Sequence, residues 1–210
     1  MSNFLAVDTS SRYLTVIAQK GDKVETSFIE NCALNHSIVL MDEIERTLSR
    51  ARLSPGECDF FAAVTGPGSF TGIRIGISCI KGFATASGNR AAGVTSLEML
   101  SYNVNSDCPY VVAIDAAHGN FYACGYQLSG VCDIPPQFLK REQVDALNRP
   151  VFGFEELDFE NYTRLNVGDC LLPAVRFFCE KQGRSGGLDA LYIKKSQAEE
   201  ERAARLAKDK

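Results

Sequence analysis

Apolar and polar positions change rhythm several times along the chain, and each rhythm predicts an element. Phe4 to Asp8 is a short apolar run closed by an acid, which fits a strand buried on both faces. Thr9, Ser10 and Ser11 form a polar turn, and alternation over residues 13–18 predicts the second strand of a hairpin. Residues 24–29 continue the meander beyond Gly21 and Asp22. Ile38, Met41, Ile44 and Leu48 then recur at helical spacing within residues 35–52, with Asn35 placed as N-cap. Residues 59–65 read as a strand, Gly66-Pro67-Gly68 breaks the chain, and Ser69 caps a helix reaching Ser87. A strand over 91–94 follows, and Thr95 with Glu98 matches a capping box that opens another helix.

Near the middle the pattern restarts. Leu5-Ala6-Val7-Asp8 matches Val112-Ala113-Ile114-Asp115, and each run leads through a small or polar turn into a strand bearing an aromatic, Tyr13 in one and Phe121-Tyr122 in the other. Internal similarity of this kind predicts two related lobes, residues 1–107 and 108–193, with a charged tail over 194–210. The second lobe is expected to hold a helix over 140–147, strands near 151 and over 165–167, and a helix from about 168 to 181, with a flexible turn over 184–187. The fold class predicted is α/β.

Composition narrows the range of functions. The chain has 210 residues, 45% hydrophobic and 23% charged, enough for a sizeable core and unlike a disordered tether. A formal net charge of -4 disfavours unaided binding to nucleic acid, which needs clustered Lys and Arg to neutralise phosphates. No apolar run approaches the length of a membrane span, and the opening residues carry no basic region or cleavage site, so a cytoplasmic protein is expected. The 8 cysteines are scattered singly, mostly inside apolar segments, and read as reduced. With 2 histidines, His36 and His118, and no Cys-x-x-Cys pair, a metal site lacks ligands, and position 40, one turn after His36, is Leu40.

Two places offer chemistry. Gly66 to Gly72 lies between strand and helix, where free backbone N–H groups receive anions, yet it lacks the Gly-Lys-Ser/Thr of a P-loop. It also departs from the dinucleotide fingerprint, with Thr71 where the third glycine belongs. The alternative is a tight turn into a closely packed helix. Asp8, Thr9 and Ser10 at the end of the first strand, with Asp115 in the repeat, suit a magnesium-bound phosphate or, equally, a turn. Neither repeat holds the Asp-x-Gly of a phosphate hairpin, so any nucleotide site here reads as eroded. The helix after Gly72 is apolar around most of its circumference, with Arg74 and Lys81 its only charges, which predicts burial on more than one side and favours a partner chain on one of them.

Phe4 to Ser10, Asn35-His36-Ser37, the run Gly66 to Gly76, Thr95 to Glu98, Ala113 to Ala116 and Leu191 to Lys194 together resemble the bacterial TsaB (YeaZ) family of tRNA threonylcarbamoyladenosine synthesis. The resemblance implies a duplicated actin-like, sugar-kinase-like (ribonuclease H-like) fold of two lobes with a degenerate ATP site. It implies a non-catalytic scaffold that dimerises with a catalytic paralogue, TsaD, while that partner transfers threonylcarbamoyl to the adenosine next to the anticodon, assisted by the ATPase TsaE. ATP and metal then belong to the partner subunits, tRNA is reached only through the complex, and a homodimer competes. Carried onto this chain, the contact falls on Ile38, Met41, Glu45 and Leu48 of one helix. On the other it falls on Phe70, Ile73, Arg74, Ile77, Ile80 and Lys81. The competing expectations are an actin-like ATP-dependent phosphotransferase using Asp8, and a glycoprotease-like peptidase, for which the chain offers no His-Glu-x-x-His and no arranged Ser, His and acid.

Overall fold

The structure is a computed structural model that describes residues 1–183 and 187–194. Two five-stranded sheets share one plan. The first contains β1 (Phe4–Asp8), β2 (Leu14–Lys20), β3 (Lys23–Ile29), β4 (Phe60–Val64) and β5 (Arg90–Val94), in the order β3-β2-β1-β4-β5. The second contains β6 (Tyr110–Asp115), β7 (Asn120–Tyr126), β8 (Cys132–Lys140), β9 (Val151–Gly153) and β10 (Tyr162–Arg164), in the order β8-β7-β6-β9-β10. In each, the first three strands form an antiparallel meander and the last two add in parallel. The duplication read from the two four-residue runs is therefore a duplication of the whole sheet, with β6 standing where β1 stands.

Both first strands are apolar along their length because both their faces are covered. Phe4 and Ala6 of β1 and Val112 and Ile114 of β6 enter one core shared between the sheets. Leu5 and Val7 point the other way, under α1 (His36–Ala51) and α2 (Phe70–Ser87), while Val111 and Ala113 enter a smaller cluster. The shared core takes Leu97, Met99 and Leu100 from α3 (Ser96–Ser101) and Leu171, Ala174 and Val175 from α5 (Val167–Val175). It continues to Cys179 in the π-helical turn Arg176–Lys181.

The two repeats differ in their helices. Both place a helix between their third and fourth strands, α1 in the first and the short α4 (Arg141–Asp145) in the second. Only the first places a helix, α2, between its fourth and fifth strands; β9 joins β10 without one.

Several expectations are corrected. β8, which holds Pro135 and Pro136, was not foreseen; it is an edge strand, where missing N–H groups need no partner. The strand expected over 165–167 lies at Tyr162–Arg164, paired with β9, and Val167 already begins α5. Asn35 stands at the start of α1 without a side-chain capping bond, whereas Thr95 and Glu98 complete both halves of their capping box. The chain after α5 also crosses back to the first sheet. Arg90 donates to the Cys179 carbonyl at 3.0 Å, Arg176 Nε to Gln19 Oε1 at 2.9 Å, and Leu191 N to the Thr65 carbonyl at 2.8 Å. Residues 184–186 of the expected turn and 195–210 of the expected tail lie outside the described residues.

Candidate functional site: an apolar groove between two helices

α1 buries His36, Leu40, Ile44, Thr47, Leu48 and Ala51, a stripe at helical spacing that faces the first sheet. A second stripe does not. Leu34, just before the helix, is 93% exposed, Ile38 71% and Met41 54%, with Glu45 exposed on the same side. The single helical repeat read from Ile38 to Leu48 is thus two faces of one helix, of which one is core.

α2 divides in the same way. Ile73, Ile77, Ile80 and Ala84 are buried in the cluster on the first sheet. Arg74, Ser78, Lys81 and Gly82 are exposed, and Ile75, Cys79 and Phe83 are part-buried. Between the two helices runs an open groove of about 570 Å³, lined by Leu40, Met41, Ile75, Cys79 and Phe83 with the small Ser37, Ser78, Gly82 and Ala86. Met41 and Cys79 bring their sulfurs to 3.7 Å across it, and burial raises the Cys79 thiol to about 11. Leu48, Ile73, Ile77 and Ile80, expected at a contact with another chain, are corrected: this chain covers them itself, at 7%, 1%, 7% and 0% exposure. Ile38, Met41, Glu45, Phe70, Arg74 and Lys81 remain on the surface.

The glycines of the Gly66 to Gly76 run have a local explanation. A Cβ on Gly72 would lie 2.0 Å from the Thr9 carbonyl oxygen, and one on Gly68 would lie 2.1 Å from that of Ser10. The β1–β2 turn sits directly on the start of α2, held by Ser69 N donating to the Ser10 carbonyl at 2.6 Å and Thr9 Oγ1 donating to the Gly72 carbonyl at 2.7 Å. Ser69 caps the helix, its hydroxyl accepting from Gly72 N.

The two aspartates do the same local work in both repeats. Asp8 Oδ1 accepts from Ser10 N at 2.8 Å and Ser10 Oγ at 2.7 Å, and Asp115 Oδ1 accepts from Ala117 N at 2.9 Å. Each folds the turn that follows its strand. Asp8 is 3% exposed, and burial raises its pKa against the pull of the Ser10 bonds and of His36. His36 is a packing residue, its Nε2–H donating to the Tyr13 carbonyl at 2.9 Å. Among the described residues no group of His, Cys, Asp and Glu is arranged to hold a metal ion.

A cleft of about 370 Å³ separates the two aspartate turns, lined by Ser10, Arg12, Gly68, Ser69, Asp115 and Glu155 among others. Of the expected phosphate set, Ser10 and Asp115 reach it, whereas Asp8 and Thr9 face inward. Ser10 engages Asp8 Oδ1 with both its N–H and its hydroxyl, and Thr9 and Ser10 are bonded to the α2 start, while Gly68 and Ser69 line the cleft. Sequence reasoning missed Glu155, whose carboxylate accepts from Asp115 N at 2.8 Å and is raised to about 7, chiefly by burial. It also missed Arg12, and Tyr192 beside Arg74.

A family model described as TsaD, tRNA N6-adenosine threonylcarbamoyltransferase, matches residues 29–163. The chain belongs to that family. Among relatives it is 32% identical over 124 residues to the tRNA threonylcarbamoyladenosine biosynthesis protein TsaB of Bacillus subtilis, covering 59% of this chain and 54% of that one. It is 30% identical over 126 residues to TsaB of Escherichia coli, again covering 59% and 54%. The chain thus matches about half the length of these TsaB relatives. The fold is that of YeaZ from Pseudomonas aeruginosa, with a TM-score of 0.72 at 24% identity over 91% of this chain and all of the other. A second Pseudomonas aeruginosa structure, described as similar to peptidase YEAZ, superposes with a TM-score of 0.74 at 24% identity. The actin-like, TsaB-type reading of the sequence stands on these matches and on the duplicated sheets. Among the described residues no helix is long and apolar enough to cross a membrane.

Proposed function

We propose that the chain is a non-catalytic scaffold of tRNA threonylcarbamoyladenosine synthesis that docks a TsaD-type catalytic paralogue through the exposed faces of α1 and α2. The observation that carries this is the groove: a folded chain that buries its own apolar helix faces leaves a second apolar surface open, with Met41 lining it and Ile38 exposed on the same helix. Such patches mark interaction sites. A paralogue of the same fold presents the same helix pair, so a pseudo-two-fold approach lays groove on groove and covers both. The exposed charges agree with that approach, since Asp42 and Glu45 lie on α1 and Arg74 and Lys81 on α2, so crossing the pairs sets opposite signs together.

The cleft between the lobes supports a nucleotide less well, because Asp8 is buried and bonded to Ser10, and the cleft sets the carboxylates of Asp115 and Glu155 side by side. ATP, metal and the transfer step are assigned to the partner and to a TsaE-type ATPase, and tRNA is met only in the complex. A homodimer through the same helices is the rival occupant. The test is reconstitution: modified adenosine in tRNA treated with the TsaD-type and TsaE-type proteins should require this chain, and Ile38→Glu should remove its contribution. Undiminished modification without this chain would refute the scaffold role. Calorimetry that finds Mg-ATP bound to the isolated chain, and lost on Asp8→Asn, would favour the phosphotransferase instead.

A further inference from the structure

The start of α2 carries a cluster that neither the groove nor the interlobe cleft includes. Arg74 lies flat on the ring of Phe70, one turn earlier, with its guanidinium carbon 3.7 Å from the ring centroid. Its Nε donates to the Tyr192 hydroxyl at 2.9 Å, and the Tyr192 and Phe70 rings meet at 4.9 Å. Tyr192 comes from a segment 118 residues away in the chain. That segment is pinned to the first lobe by Leu188, 4% exposed in the core beneath α2, and by Leu191 N on the Thr65 carbonyl. Phe70, Arg74 and Tyr192 are all exposed, and among the described residues no carboxylate pairs with Arg74.

We propose that residues 187–194 form a strap whose Tyr192 fixes the Arg74 guanidinium, so that its two remaining nitrogens present a fork to a carboxylate on the docked paralogue. The inference rests on the docking reading above and deepens it. An unrestrained arginine loses side-chain freedom when it pairs, and stacking on Phe70 with Nε held by Tyr192 removes much of that loss beforehand. A guanidinium so fixed offers the bidentate geometry that matches a carboxylate and not an apolar or cationic surface. Its position supports the same occupant: Phe70, Arg74 and Ser78 follow one another at four-residue spacing along α2, and Ser78 already lines the groove. Aromatic residues with arginine are also the side chains that dominate interface energies. Tyr192 is a positioning residue here, acting through Arg74.

The test measures affinity of the full chain for the TsaD-type partner, alongside thermal midpoints of the free variants. Arg74→Glu should weaken docking by about 100-fold or more, because it sets like charges together. Arg74→Lys keeps the charge without the fork and should weaken it by roughly tenfold. Tyr192→Phe keeps the ring and removes the hydroxyl; a loss of about threefold to tenfold is expected, and that loss should vanish when Arg74 is already alanine. Wild-type affinity should fall with added salt, and Arg74→Ala should flatten that dependence. If Arg74→Glu and Tyr192→Phe dock like wild type while Met41→Glu does not, the strap inference fails and the groove stands. If Met41→Glu also docks like wild type, the groove reading itself fails. A Tyr192→Phe loss that persists in the Arg74→Ala background would overturn positioning through Arg74.

Discussion

Two glycines of α2 should respond to the same substitution with opposite signs. In an unconstrained helix interior, Gly→Ala gains about 1 kcal/mol from reduced backbone entropy in the unfolded chain. Gly82 meets that condition, with nothing within 4 Å of its added methyl, so Gly82→Ala should stabilise by about that amount. Gly72 does not. Its methyl would stand 2.0 Å from the Thr9 carbonyl oxygen, a backbone atom that no side-chain rotation can move. Ordinary contact needs about 3.5 Å, so turn and helix must part by roughly 1.5 Å. The 2.7 Å bond from Thr9 Oγ1 and the 2.6 Å bond from Ser69 N are then broken or stretched, at about 1 kcal/mol each. Overpacking adds about 1–3 kcal/mol. Against the helix gain, Gly72→Ala should destabilise by about 2–4 kcal/mol, lowering the thermal midpoint by roughly 5–15 °C while Gly82→Ala raises it by about 2–4 °C. Urea unfolding followed by circular dichroism measures both. A Gly72→Ala protein as stable as wild type would refute the view that these glycines exist to seat the β1–β2 turn, and would reopen the α2 start as an anion site.

Other outcomes follow from burial and charge. Ile80→Glu, at a position with 0% exposure, should unfold the chain, whereas Ile38→Glu, at 71%, should leave its midpoint within a degree or two; a folded Ile80→Glu would mean α2 is seated differently. Glu155 is raised from 4.5 to about 7, so between those values the folded chain holds a proton that the unfolded chain releases. Stability from this group is therefore lost as pH rises from 4.5 to 7, by on the order of 1–2 kcal/mol once solvent screening is allowed for. Glu155→Gln should flatten that slope, and an unchanged pH profile would contradict the assignment. Of the thiols, exposed Cys108 and Cys132 should react promptly with a disulfide reagent in the native protein, while Cys58, Cys124 and Cys170, each pushed up to about 12 by burial, should wait for unfolding; prompt reaction of all would overturn the packing described.

The sheets were legible because a strand covered on both faces must be apolar at every position, so Leu5-Ala6-Val7-Asp8 and Val112-Ala113-Ile114-Asp115 announce themselves twice. The edge strand β8 was not, since edge positions tolerate prolines and polar residues that elsewhere signal loops. For the candidate site, the unusual composition of α2 drew attention to that helix without separating its covered face from its exposed one. A helix apolar around its axis gives no sign of which isoleucines its own sheet covers, and Ile73, Ile77 and Ile80 were the covered ones. Ile38 and Met41 were found, but in one stripe with Ile44 and Leu48, because a helical repeat of mixed spacing does not separate two faces. Leu191 to Lys194 carried part of the resemblance, but nothing local tied Tyr192 to the site, since its partners lie on α2.

Affinity between this chain and its TsaD-type paralogue, measured by sedimentation with wild type and Met41→Glu side by side, tests the central claim most directly. A carboxylate placed at the groove should leave the free chain folded and weaken the heterodimer by about 100-fold or more, because the charge is desolvated without a partner. Equal sedimentation of both mixtures as a heterodimer at the same concentrations would show that the groove between α1 and α2 is not where this protein works.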